Sequence, residues 1–311
     1  MSIGQSITVR PAIPSDAESI ASISNANNEP HFKTTPARKL ALIKEFPESI
    51  LVAKLEGQTV GAGEFWLSDD VYRIGVYRIG VYSHPDHRNP DVNAKLLEVI
   101  EREVRSLVQP HGGKRLFDTT RADFLEHATH LQSFREVFRS FGAELEFSKF
   151  DPQAFAHLEP ELLAHGIEIK SYNNLESDPE RDAKLEAIQA QAIADLPGFE
   201  PVVPTQMDYF KDRNIWEPFF VAVRGDDYLG FASLDSHGDH LHIDASGVAR
   251  AHRRQGIGLA LGAKLMAWAK HQGVLEINDG GAKSNVAHVR LLERLGFELE
   301  PDWITFEKIL T

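Results

Sequence analysis

Apolar and polar positions change period most sharply between residues 240 and 268. Leu241, Ile243 and Ala245 alternate with His240, His242 and Asp244, the two-residue period of a strand with one buried and one wet face. Ile257, Leu261, Leu265 and Trp268 then recur at the spacing of a helix that buries one side. Ser246 to Gln255 keeps neither period, so a turn joins strand to helix there. Farther on, Val274 to Ile277 reads as the next strand and Trp303 to Ile309 as the last. Between them Val289 and Leu292 mark the buried face of a helix that Ser284 or Asn285 caps and Gly296 stops.

The same succession runs earlier in the chain. Ile7-Thr8-Val9-Arg10-Pro11 predicts a strand stopped by proline, and Ser15-Asp16 the cap of a helix carrying Ile20 and Ile23. Residues 24 to 39 keep no clear period and predict a mobile segment or a short helix. Ile50 to Lys54 and Thr59 to Trp66, turning at Glu56-Gly57-Gln58, predict a hairpin. After residue 166 the pattern begins again. Ile167-Glu168-Ile169 is a strand, Asp178-Pro179-Glu180 opens a helix through Leu185 and Ile188, and a proline-rich loop follows from Pro197 to Pro204. Met207 to Arg213 is expected as a short helix, and Phe219 to Val223 with Tyr228 to Leu234 as a hairpin.

Matching positions in the two halves lie between 154 and 169 residues apart, a spread that loop lengths absorb. One of these matches sets Phe134 to Glu146, with Gly142, against Leu291 to Glu300, with Gly296. The chain therefore reads as two α/β domains, residues 1–150 and 167–311, joined by a linker over 151–166 that contains Pro152, Pro160 and Gly166. Within the first, Val71-Tyr72-Arg73-Ile74-Gly75 is repeated at once as Val76-Tyr77-Arg78-Ile79-Gly80. An odd-numbered repeat turns equivalent side chains to opposite faces of a regular strand, which predicts a bulge near Gly75 or Gly80.

Composition narrows the chemistry. There is no cysteine, which removes disulfides, thiolate metal sites and cysteine nucleophiles. The opening residues lack a basic stretch followed by an apolar one, and no apolar run approaches a membrane span, so a soluble, cytoplasmic protein with no membrane partner is expected. The formal net charge of −13 is divided unevenly: residues 1–155 hold 18 basic against 21 acidic side chains, and 156–311 hold 15 against 25. Such a surface disfavours a nucleic-acid partner and suits a cationic acceptor, or simply keeps the chain dissolved.

The turn before Ile257 is built for an anion. Gly256 and Gly258 remove the Cβ atoms that keep a ligand off the backbone, leaving first-turn amides of the helix available to phosphate oxygens. Arg253 and Arg254 add charge where the helix dipole already favours an anion. A Walker loop is excluded because no Gly-Lys-Ser/Thr follows. A dinucleotide fingerprint over Gly256, Gly258 and Gly262, with Glu276 beyond, fails because Ala251 to Gln255 is a polar run where a buried strand should end. Arg253-Arg254-Gln255-Gly256-Ile257-Gly258 instead resembles the acyl-coenzyme A loop of the GCN5-related N-acetyltransferases (GNAT), Gln/Arg-x-x-Gly-x-Gly/Ala, with Val248 five residues ahead. Asn285, opening a helix that ends in Leu295-Gly296-Phe297, resembles the next motif of that family.

The resemblance implies two tandem GNAT-like domains, each a mixed, mostly antiparallel sheet flanked by helices, laid out like the mycothiol synthases. It implies acetyl-CoA as acyl donor, with Val248, Ala249, Arg253, Arg254, Gln255, Gly256, Ile257, Gly258, Leu259 and Asn285 as cofactor residues. His242 and Asp244, on the polar face of the strand before Val248, stand where several relatives carry a base, and Asp235 and His237 are weaker candidates. The tyrosine that often protonates the departing thiolate is Leu292 here, which cannot. In the first half, aligning His87-Arg88 on His252-Arg253 puts Asp91 and Asn93 where Gly256 and Gly258 stand, so that half is expected to keep the fold without the cofactor site. The expected activity is acetyl transfer to a primary amine of a small molecule by the second half, as a monomer or homodimer with no metal. The alternatives are a CoA-binding regulator without turnover and a protein-interaction role for the first half.

Overall fold

The structure is a computed structural model that describes residues 6–28, 33–68, 76–107, 114–198, 218–237 and 240–310. The chain divides into two compact units, one of residues 1–138 with 303–311 and the other of residues 139–302. No helix among the described residues is long and apolar enough to cross a membrane.

The N-terminal unit begins with β1 (Thr8–Pro11) and α1 (Ala17–Ala26), followed by α2 (Pro36–Glu45). Next come β2 (Ile50–Leu55), β3 (Gln58–Leu67), β4 (Val76–Ser83), α3 (Pro90–Ser106) and β5 (Lys114–Arg121). The β2–β3 hairpin turns through Glu56 and Gly57, both at positive φ (50° and 85°), as the sequence predicts for that turn. Antiparallel pairing runs from β1 through β4, and β4 then pairs β5 in parallel at Val76–Arg115, Tyr77–Leu116 and Arg78–Phe117 only. Leu96, Ile100 and Val104 of α3 pack on one face of this sheet, and Ile20 and Ile23 of α1 pack with Ile43, Val52 and Ala62.

The other unit repeats the scheme. After β6 (Arg135–Glu146) and α4 (Leu158–Ala164) come β7 (Glu168–Ser171), α5 (Arg181–Ala194), β8 (Phe219–Arg224), β9 (Asp227–His237) and β10 (His240–Val248). They are followed by α6 (Ile257–His271), β11 (Glu276–Ala282), α7 (Val286–Leu295) and the short β12 (Glu298–Leu299), after which β13 (Trp303–Leu310) returns to the N-terminal unit. Strands β7 to β10 are antiparallel, and β10 pairs β11 in parallel only at Leu241–Ile277 and His242–Asn278. Helices α6 and α7 cover one face through Leu261, Leu265, Leu292 and Leu295, while Leu185 and Ile188 of α5 join Phe219, Val221 and Phe231 on the other.

Four sequence expectations are corrected. The strands that finish each sheet are exchanged: β13 pairs β5 of the N-terminal unit from Trp303–Arg121 to Leu310–Lys114, and β6 pairs β11 from Glu276–Glu146 to Ala282–Ser140. A cut at residue 150 or 166 would therefore remove a strand from each unit, and the 1–150 and 167–311 division gives way to the one above. The 151–166 stretch is packed rather than loose, since it contains α4 with Leu158 and Leu162 buried against the second core. The match of Phe134 to Glu146 with Leu291 to Glu300 fails, because residues 135–146 form a strand in which Phe141, Ala143 and Leu145 bury alternate positions, whereas residues 286–295 form a helix. Finally, β4 pairs β3 in unbroken register past Gly80, and register shifts fall elsewhere, at Ala53/Lys54, Ala222/Val223 and Ile243/Ala245. The first Val-Tyr-Arg-Ile-Gly copy, Gly75 included, and the expected helix over Met207 to Arg213 lie outside the described residues, as does the His237 side chain.

Candidate active site

Past Asn278 the two parallel strands of the second unit part, and β10 runs on from Ile243 to Val248 with no register to β11. Its other edge stays bonded to β9: Val248 pairs with Gly230, and the Ala249 amide donates to Leu229 O at 2.9 Å. At Gly247 α5 comes close, since a Cβ there would lie 2.8 Å from the Ala192 Cβ. Only glycine allows that approach.

A short turn over Arg250–His252 leads into the predicted loop. Arg254 and Gly256 both take left-handed backbone, at φ 66° and 82°. Gly256 is the residue before α6, and no side chain caps this helix end. A Cβ on Gly256 would meet nothing within 4 Å, so the turn is open on its outer side. Ile257 and Leu259 are buried at 1% and 6% exposure, so what they offer a ligand is their amides. The first-turn amides of a helix have no intrahelical acceptor, and here they meet an uncapped, side-chain-free approach, a cradle that fits a diphosphate.

The two arginines of the loop behave differently. Arg253 Nε donates to Val248 O at 2.9 Å and its guanidinium lies 2.7 Å from Asp195, so it braces the loop. Arg250 reaches the same carboxylate at 2.6 and 2.8 Å. Hydrogen bonding from Arg250 and Arg253 holds the Asp195 carboxyl down at about 2, so the brace is intact over the ordinary pH range and fails only in strong acid. Arg254 is exposed beside Gly256. Asp195, at the end of α5, was not legible in the sequence because more than fifty residues separate it from its partners.

The acid–base candidates cluster where the strands part. His242 is flanked by Asp235 on β9 and Asn278 on β11. Ligand atoms of Asp235, His242 and Asp244 all lie within 4.8 Å of one another, and His242 Nε2 is 4.0 Å from Asp244 Oδ1. Asp244 follows His242 by two residues and so shares its face of β10, at the point where the register with β9 shifts between Ile243 and Ala245. Asp235, the weaker candidate, is buried at 3% exposure and belongs with the other two. Asn278 was missed, because the apolar pattern of β11 stops at Ile277 while the strand continues to Ala282.

The second motif takes its predicted form. Asn285 caps α7, its side chain accepting from the His288 amide at 3.3 Å, and Gly296 ends the helix at φ 94°. His288 Nε2 lies 3.1 Å from Asp279 Oδ2. Burial works against the charged ring, but the Asp279 carboxylate and the Gly280 backbone raise its pKa above the usual histidine value. Leu292 is fully buried and packs in the core, so nothing at that position can protonate a thiolate. Truncating it to alanine is expected to lower unfolding stability by about 2–5 kcal/mol, which denaturant titration measures.

The first unit meets the corresponding turn differently. Asn89 caps α3, its side chain accepting from the Asp91 amide at 2.9 Å, and Pro90 supplies no N–H. Asn93 is turned inward, its Nδ2 donating to His127 O at 2.9 Å. The amides a phosphate would use are already occupied or absent.

Residues 188–297 match the model of the Acetyltransferase (GNAT) family. This segment carries the sequence pattern of that family. Solved structures extend the GNAT likeness over nearly the whole chain. A GCN5-related N-acetyltransferase from Sphaerobacter thermophilus is 16% identical with a TM-score of 0.69, covering 98% of this chain and 96% of its own. A tandem GNAT protein from the clavulanic acid biosynthesis pathway is 14% identical with a TM-score of 0.60, covering 98% and 99%. A GNAT-family acetyltransferase from Colwellia psychrerythraea gives 16%, 0.55, 97% and 99%. No curated protein sequence matches significantly. The chain thus has two tandem GNAT folds.

Proposed function

We propose that the C-terminal unit moves an acetyl group from acetyl-CoA to a primary amine of a small molecule. The observation that carries this reading is the contrast between two equivalent helix starts, one open at Gly256 and one closed by Asn89 and Pro90. Gly256, Ile257, Gly258 and Leu259 would hold the diphosphate through their amides, with Arg254 beside them and Arg253 bracing the loop. The edge of β10 up to Val248 and Ala249 is left by β11 for the pantetheine arm, near Asn285 at the head of α7. Gln255 is exposed at the mouth of the turn.

Bound acetyl-CoA supplies an activated acyl carbon. His242 takes a proton from the incoming ammonium, and Asp244 and Asp235 steady the charged imidazole. As the C–N bond forms and the C–S bond breaks, the electron pair passes to sulfur, and backbone N–H groups offset the charge on the acyl oxygen. The new amide nitrogen gives up its second proton to water, and with Leu292 in the core the thiolate takes its proton from water as well.

Mixing the protein with acetyl-CoA and a panel of primary amines is expected to release free thiol at a rate that depends on the amine. Saturable CoA binding with no thiol release for any amine would instead make this unit a CoA-responsive regulator.

A further inference from the structure

The N-terminal unit has a cleft that the proposed reaction leaves unused. Its parallel strands part after Arg78–Phe117, and Asp118 is the first residue of β5 beyond the paired stretch, as Asp279 is on β11. Each aspartate holds a histidine, His130 at 2.6 Å in the first unit and His288 at 3.1 Å in the second. In the first unit the parted strands open a pocket of about 480 Å³, its mouth included.

Asp118 and His130 line that pocket and are 7% and 6% exposed. The carboxylate 2.6 Å from Nε2 assigns the ring proton to that nitrogen. Nδ1 is then an acceptor, buried and without a hydrogen-bond partner. A buried acceptor without a partner carries a desolvation cost in the folded chain. The Tyr82 hydroxyl is held protonated, since burial and the carboxylates of Glu64 and Asp118 push its pKa well above the ordinary tyrosine value. The Asp118 carboxylate makes the potential at this wall negative, and Asn89 and Pro90 have closed the phosphate cradle of the same unit. Phe124 and Trp303 supply aromatic surface on the lining.

We propose that this pocket binds a small primary ammonium compound with a flat apolar body, its nitrogen directed at the carboxylate of the Asp118–His130 pair and its body against Phe124 and Trp303. The site is separate from the transfer site and does not depend on that assignment. Arg121, also on the lining, is engaged by Asp123 at 2.6 Å and leaves the inner wall acidic.

The test uses the full chain without acyl donor and three matched probes: 2-phenylethylamine, 2-phenylethanol and 3-phenylpropionate, titrated by calorimetry and by NMR of the histidine rings. The amine is expected to bind saturably and at least tenfold more tightly than the alcohol, to shift the His130 ring resonances, and to be undisplaced by the carboxylate. Asp118→Asn and His130→Gln each weaken amine binding at least tenfold, with near-UV circular dichroism checking that they fold. The probe ranking on the unaltered chain stands as a test even if a variant does not fold. No saturable binding of any probe, or carboxylate binding as tight as the amine, overturns the proposal. Amine binding that is lost in His242→Ala but kept in Asp118→Asn also overturns it, because the amine would then sit in the other unit.

Discussion

Replacing Gly256 with aspartate is expected to raise the dissociation constant for CoA at least a hundredfold, a loss of about 2.7 kcal/mol in binding. The substitution copies what the N-terminal unit already has at the corresponding place, Asp91. Nothing lies within 4 Å of a Cβ at 256, so the side chain meets no steric clash. Its φ of 82° costs a non-glycine residue about 1–2 kcal/mol, with aspartate among the more tolerant types, so the melting temperature falls by only a few degrees. The loss of affinity has a separate cause, a carboxylate set where the amides and Arg254 would meet a diphosphate. Gly256→Ala shares the backbone strain without the charge and is expected to lose much less. Calorimetric titration of CoA into the three proteins decides the matter: unchanged affinity in Gly256→Asp would remove the assigned cradle.

His242→Ala is expected to lower kcat by about a hundredfold or more while leaving CoA affinity unaltered, the range general-base catalysis supplies. His242 is the basic member of a three-residue cluster, and its neighbours on both strands are polar. Asp244→Asn keeps the size of the side chain and removes its charge; it should cost less, because Asp235 still faces the ring. Steady-state rates with the most active amine of the panel, together with CoA titration, separate the chemical step from binding. A kcat within threefold of the unaltered protein in His242→Ala would move the base elsewhere.

Most of the candidate site's local framework could be read in advance because it lies within one local change of period. The strand at 241–245, the glycine turn and the helix from Ile257 are contiguous, so their relation is set by a few residues of backbone. What escaped notice depends on distance along the chain. Asp195 reaches Arg250 and Arg253 across a long interval, and Asn278 joins His242 through strand register alone. The two-residue period marked β13 as a strand but is silent about which sheet receives it. For β6 a chance echo of Gly142 with Gly296 outweighed the alternation of Phe141, Ala143 and Leu145. The fold class was legible; the assignment of the closing strands was not.

That exchange has a consequence for how the chain is made. The N-terminal sheet waits for Trp303–Leu310, where Glu307 also receives Arg115 and Arg135. During synthesis the first half therefore leaves the ribosome with one sheet edge bare, and an exposed edge invites pairing with other chains. A nascent polypeptide of this design depends on prompt translation of its remaining half, or on a chaperone in the interval, to reach its finished state.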